Sequence, residues 1–435
     1  MLGASSQSTR FAVRRVDVDE RTYAGDTFFA SGGIADTLAS MGALTGIRVL
    51  DLGLLVQAPQ AGLMFAEMGA DVLKVELPHV GDQARWIALS EEDRRAPYFV
   101  GCNRGKRSIT IDLRKPDGRD VFLKLVETAD VMLSNFKPGT LDGWGLGYEE
   151  IKARNPRIIF ACGSLLGPEG PSAQREGADL VGQAAGGLIS TTGVDGGPPT
   201  PVGATIADHI ASSHMSIGVL GALLARAQTG RGQRIDVSLL GSQIYAQASE
   251  YTAFLLNGKV PGRANYGHPL LNAAYGILPT ADGHIAIAGV PPAARVAFYN
   301  AVGRPELAED QRFASLFYTP AVKMQLFEIL KEEFPKQTTA EWSARLTRAG
   351  ARFAPVQDYA EAVIDPMVLA NGYIQKATHP DLGDIDVVGS PIRLSDTPMT
   401  ISARAPELGE HTEEILLELG YTWEDIASLR ESDSI

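Results

Sequence analysis

Short apolar runs alternate with longer stretches of helical spacing over the first part of this chain. Ile47–Leu52 and Ala70–Glu76 have the apolar density of strands, and the helix-like Ala58–Met68 between them ends at Gly69. The alternation continues with a strand at Ser108–Leu113, a helix at Gly118–Thr128, and strands at Asp130–Ser134 and Arg157–Gly163. Strands alternating with helices predict βαβ units around a largely parallel sheet, and their apolar character fits burial on both faces. The Gly/Ser/Thr/Pro-rich stretch Gly182–Gly203 reads as loop or ligand-contact material. A long helix then runs from about Asp208 to Gln228 with Gly230 as its cap. Arg234–Leu240 suits a strand or a helix entry.

From about 262 the texture changes to short strands and turns, with amphipathic helices near 320–335 and 339–349. Glu407–Leu429 is acidic and helical. The expected organisation is an extension over 1–45, a large α/β domain over 46–240, a linker over 241–261, a smaller α+β domain over 262–365, and a return to the large domain over 366–435.

The 435 residues suffice for two or three structural units, and 45% hydrophobic with 21% charged residues is ordinary for a globular chain. A net charge of −13 argues against a nucleic-acid binder but leaves room for a small anionic ligand at a local basic cluster. Two isolated cysteines, Cys102 and Cys162, make neither a disulfide framework nor a metal site, and suit a reducing compartment. The apolar stretch Ile210–Ala225 carries His214 and three serines, which favours a buried helix over a membrane span. With no signal-like start, a cytoplasmic location is expected.

No GxGxxG follows a strand, and there is neither a GxSxG elbow nor an HExxH pair, so a dinucleotide, a serine hydrolase and a metal centre lack support. The basic cluster is Arg104, Lys106 and Arg107 in the loop before a strand, a plausible phosphate contact or an ordinary solvated loop. Asp208 opens the long helix, whose partial positive charge would keep a carboxylate ionised for attack on an acyl carbon. Local sequence by itself favours a plain helix cap there.

Taken together, Gly46–Gly53 (GIRVLDLG), Met68–Arg85 (MGADVLKVELPHVGDQAR), Asn103–Arg119 (NRGKRSITIDLRKPDGR), Ser134–Glu150 (SNFKPGTLDGWGLGYEE), Asn155–Ser164 (NPRIIFACGS), Thr229–Leu240 (TGRGQRIDVSLL) and Pro406–Gly420 (PELGEHTEEILLELG) resemble the family III CoA-transferases, also called the CaiB/BaiF family. The resemblance implies a Rossmann-like large domain, a small domain and an interlocked dimer. It implies coenzyme A as substrate, with no metal, and an acyl-CoA and a carboxylic acid as partners. By position it makes Asp208 the nucleophile, passing through mixed anhydrides and an aspartyl-CoA thioester. Oxyanion donors are sought among the amides of Gly182–Gly187. It further places the family's loop glutamine at Val56 or, shifted by one, at Gln57. Asn135, Phe136, Lys137 and Arg107 become CoA contacts, and Arg85 either a structural residue or a substrate contact.

Acyl-CoA racemases resemble the same family and pair an aspartate with a histidine. Here the histidine position is Ala178, beside Asp179, so the second acid–base group is missing and transfer is favoured. The remaining alternative is a non-catalytic subunit beside an active homologue. The assembly is then a homodimer or a heteromer.

Overall fold

The computed structural model describes residues 41–313 and 318–435, so most of the 1–45 extension lies outside the described residues. Six strands form the main sheet: β1 (Arg48–Asp51), β2 (Asp71–Glu76), β3 (Arg107–Thr110), β4 (Val131–Ser134), β5 (Ile159–Ser164) and β6 (Arg234–Ser238). Their order is β3-β2-β1-β4-β5-β6, and every neighbouring pair is parallel. This is the doubly wound, Rossmann-like order.

Alternate residues of each strand enter opposite cores, as the two-residue period requires. Leu50, Leu73, Met132 and Phe160 face a layer made by α3 (Pro116–Thr128), α4 (Tyr148–Arg154), α11 (Thr412–Glu418) and α12 (Trp423–Glu431). Val49, Val72, Val131 and Ile159 face α1 (Gln57–Glu67) and α6 (Ile206–Thr229). The acidic C-terminal stretch is thus two helices separated by Gly420 (φ +83°), rather than one.

The Gly-rich stretch holds more structure than its composition suggests. It contains most of α5 (Asp179–Ala185) and a further turn at Leu188–Thr191. A Cβ on Gly182 would stand 2.8 Å from Leu239 Cβ and 3.1 Å from Ala207 Cβ, so this glycine serves close helix packing, not a loop.

Helix α6 ends as expected on Gly230, left-handed at φ +71°. It is long and apolar enough to cross a bilayer, yet Met215, Val219 and Ala222 pack on the sheet and Arg226 pairs with Asp130 at 2.9 Å. It is therefore a core helix.

A second core lies beyond α7 (Leu239–Ala246) and α8 (Ala248–Asn257). There an antiparallel sheet of β7 (Tyr275–Pro279), β8 (His284–Ala288) and β9 (Phe353–Pro355) packs with α9 (Pro320–Glu333) and α10 (Thr339–Arg348). Phe298, Phe327, Phe334 and Trp342 fill it. A hairpin of β10 (Ile374–His379) and β11 (Gly383–Val388) follows.

Candidate active site

The chain leaves β1 toward one side of the sheet and β4 toward the other, so their carboxyl ends open a crevice of the kind where doubly wound folds bind ligands. The loop after β1 is held at successive residues. Asn135, just past β4, accepts from the Leu54 N–H through Oδ1 and donates to the Leu54 carbonyl through Nδ2, both at 2.8 Å. Asp82 Oδ1 accepts from the Leu55 N–H at 2.9 Å, and Lys74 donates to the Gly53 carbonyl. These contacts keep Leu55 left-handed at φ +61°, a conformation that costs a side-chain-bearing residue about 1–2 kcal/mol.

The pinned loop delivers Gln57 as the first residue of α1. Its side chain lies against β5 at Gly163, where a Cβ would stand 2.3 Å from Oε1. The Gln57 carbonyl accepts from Ser212 Oγ of α6 at 2.5 Å, while the side-chain Nε2 is buried without a partner. Val56 is simply buried, so of the two candidate positions it is Gln57 that brings an amide.

Asp208 is the third residue of α6, one turn before Ser212, whose hydroxyl also donates to the Asp208 carbonyl at 2.9 Å. It is not the helix cap. Asp179 of α5 fills that role from outside the helix: its Oδ1 accepts from the N–H groups of Ala207 (2.6 Å) and Asp208 (3.2 Å). The Asp208 carboxyl is half-buried, and burial, then the charge of Asp179, push it up to about 7. The expectation that the helix end alone keeps it ionised is thereby corrected. The amides of Gly182, Gly186 and Gly187, sought as oxyanion donors, are bound within helical turns to Ala178, Gly182 and Ala184.

The cations scatter. Lys106 has no exposed side-chain surface and pairs with Asp51 at 2.7 Å. Arg104 is buried, donating to the Val388 carbonyl at 2.7 Å beside Glu67. Arg107, on edge strand β3, is held by Asp71, Glu414 and Glu418. In place of a shared phosphate contact, these residues brace the sheet. The cluster needed cations pointing one way, and an apolar-edged strand start sends neighbours apart. Arg85 forks onto Glu76 at 2.8 Å and stacks over Phe99, the structural option of the two.

Lys137 remains near the surface, paired with Glu176 at 2.6 Å. With Phe136, Tyr148, Ser164 and Arg234 it borders a shallow cleft at the carboxyl ends of β4 and β5. Ala178 is exposed at the start of α5 and offers no acid–base group. Among the described residues no cluster of His, Cys, Asp and Glu has the makings of a metal site. Gln183, which sequence reading passed over, donates to Asp179 Oδ2 at 2.6 Å; its signal was the one-turn spacing from Asp179.

A half-buried carboxyl on a helix that also contacts the Gln57 carbonyl, in a doubly wound fold, suits acyl transfer. The family model for CoA-transferase family III matches residues 44–412. The chain belongs to CoA-transferase family III. It is 34% identical over 382 residues to the succinate–glutarate CoA-transferase of Agrobacterium fabrum, covering 86% of this chain and 95% of that protein. It is 33% identical over 417 residues to the formyl-CoA:oxalate CoA-transferase of Streptomyces coelicolor, covering 90% and 99%. A solved CaiB/BaiF family protein from Brucella suis superposes with a TM-score of 0.78 at 34% identity, over 87% of this chain and 100% of that one. As a family III CoA-transferase, the protein is an enzyme of acyl-CoA metabolism, and coenzyme A enters as substrate.

Proposed function

We propose that the enzyme transfers CoA covalently through Asp208. The observation that carries this is the half-buried Asp208 carboxyl, which accepts no hydrogen bond from any described residue and lies one turn from the contact of α6 with Gln57. The carboxylate attacks the donor thioester carbonyl and the CoA thiolate departs, leaving a mixed anhydride. The thiolate then attacks the aspartyl carbonyl, releasing the donor acid and forming an aspartyl-CoA thioester. The acceptor carboxylate attacks that thioester, the thiolate leaves again, and its attack on the acceptor carbonyl restores Asp208 and releases the new acyl-CoA. Splitting the exchange into such steps is the gain of a covalent nucleophile. Each addition places negative charge on an oxygen, and we assign its donor to Gln57 Nε2, which has no partner among the described residues.

At this shallow cleft Lys137 is the cation we assign to a CoA phosphate, since its partner Glu176 is a surface carboxylate that a phosphate can replace. Relatives named for succinate, glutarate and oxalate point to small dicarboxylates, with succinyl-CoA as the donor to try first.

Incubation with a panel of acyl-CoAs, hydroxylamine trapping and mass spectrometry test the mechanism. A modified Asp208 peptide is expected; no modification by any donor, in folded protein that binds CoA, rules the mechanism out. Only the carboxylate attacks, so adduct formation is expected to rise with pH through a midpoint near 7 and to level above it. A flat profile from pH 5 to 9 contradicts this assignment.

The assembly we propose is a homodimer. Ile217 and Leu224 of α6 are 66% and 71% exposed, and α8 has no buried residue while presenting Leu255 and Leu256 at 78% and 82%. Exposed apolar side chains of this size on two helices suit an interface. Sedimentation equilibrium is expected to give twice the chain mass. Leu255→Glu with Leu256→Glu should shift the species to monomer, and a monomeric wild-type chain refutes the dimer.

A further inference from the structure

An aspartate in the first turn of a helix ordinarily turns back onto the backbone amides there, which lack intrahelical partners. Asp208 stands in that turn and does not, because the amides are already taken. Asp179 Oδ1 holds the N–H groups of Ala207 and Asp208. Asp179 itself is 8% exposed, and its second oxygen accepts from Gln183 Nε2 at 2.6 Å. Gln183, 1% exposed, accepts from the Val202 N–H at 3.0 Å, and its Nε2 lies 3.3 Å from the Ala204 carbonyl. One buried amide thus ties Asp179 to the segment that feeds α6. Gly182, on the same turn, lets α5 approach Ala207 closely enough for these bonds. Both Asp179 oxygens thus accept hydrogen bonds from within the protein.

We propose that Asp179, locked by Gln183, is a positioning residue for Asp208: it closes the amino end of α6 and so leaves the Asp208 carboxylate unbound and free to attack. The inference rests on the reading of Asp208 as nucleophile. A carboxylate bound by backbone amides has its charge stabilised and is the weaker attacker, whereas one beside a second carboxylate is more basic. Two titratable groups, Asp179 and Cys102, interact with Asp208, and His209 is its neighbour along the helix. Asp179 comes from α5. His209, next along α6, is pushed down by burial, and Cys102 on α2 (Pro97–Asn103) is raised by burial to about 11. Near neutral pH the histidine and thiol are mainly uncharged, so Asp179 is the group that sets the field.

The test follows adduct formation on Asp208 from succinyl-CoA by rapid quench and mass spectrometry. It compares the full-length wild type, Asp179→Asn and Gln183→Leu from pH 5 to 9, with circular dichroism for folding. Asp179→Asn keeps the shape and loses the charge. Its acid-limb midpoint is expected to fall by about one pH unit. Its plateau rate should drop by about tenfold to a hundredfold, with half-saturating succinyl-CoA within about twofold. Gln183→Leu keeps the charge but frees the side chain, so the same loss of rate should appear at the wild-type midpoint. A wild-type midpoint and rate in Asp179→Asn overturn the proposal. Should that variant not fold, an unchanged rate in Gln183→Leu overturns it instead. A wild type that forms no adduct on Asp208 with any donor defeats the nucleophile reading itself and takes this proposal with it, a result visible before either variant is compared.

Discussion

Asp208→Asn is expected to lower CoA transfer by at least about a thousandfold and to abolish the trapped adduct, while the protein becomes more heat-stable. The two effects share one cause. The carboxyl is half-buried beside Asp179, so ionising it costs free energy in the folded chain that the unfolded chain does not pay. Its folded value of about 7 lies above the ordinary 3.8, so the native state holds the proton more tightly. The stability this proton contributes is complete below about pH 4 and is lost as the pH rises to about 7. An asparagine carries no such loss. The melting temperature of the variant should therefore match the wild type near pH 4 and exceed it, by about 1–3 °C, above pH 7. Scanning calorimetry across that range, beside a CoA-transfer assay, separates lost chemistry from lost fold. A variant that keeps a tenth of its activity refutes the covalent role of Asp208. One that melts lower at pH 8 refutes the account of its carboxyl.

The legible parts of the molecule were those governed by local pattern. Strands β4 and β5 announce themselves because each is buried on both faces and is largely apolar, whereas β1 and β2 show only short apolar runs broken by Asp51, Lys74 and Glu76. Helix α6 declares its end at Gly230, where only a residue without a Cβ takes the left-handed turn at ease. What stayed hidden depends on partners distant in sequence. Whether Asp208 is a cap or a free carboxyl is decided by Asp179, from another helix. Arg104, Lys106 and Arg107 look alike in sequence, but Glu67, Asp51 and Asp71, contributed by earlier elements, give each a separate structural task. Composition misled at Gly182, because glycine serves loops and tight helix contacts equally well, and only the facing Leu239 and Ala207 distinguish them. The placement of Gln57 likewise depends on distant partners: Asn135 and Asp82 pin the turn at Leu55 that starts the helix at this residue.

Lys74→Met should be among the most destabilising substitutions in the large sheet, at about 3–5 kcal/mol, because it strips the cation from a fully buried charge cluster. Lys74 and Asp82 are both fully buried and lie 2.8 Å apart, an ion contact in which the ammonium hydrogen bond goes to the Gly53 carbonyl. Burial alone would push the Lys74 ammonium down, but Asp51, Asp82 and Glu76 hold it above the ordinary lysine value. Lys106 and Arg85 complete the balance, pairing with Asp51 and Glu76. Removing Lys74 leaves Asp82 facing no cation and releases the Gly53 carbonyl, while methionine fills the volume. The damage then has a direction. Asp82 also holds the Leu55 N–H, and a carboxylate seeking solvent loosens the turn that presents Gln57. Lost stability should come with a lower kcat in the protein that remains folded. Asp82→Asn in the same chain removes the stranded charge, so the double variant should recover part of the loss. A cycle of the two single variants and the double, read by chemical denaturation, measures this coupling. Losses that simply add would mean the cluster does not act as a unit, and a Lys74→Met variant within about 1 kcal/mol of wild type would mean that its charges are solvated after all.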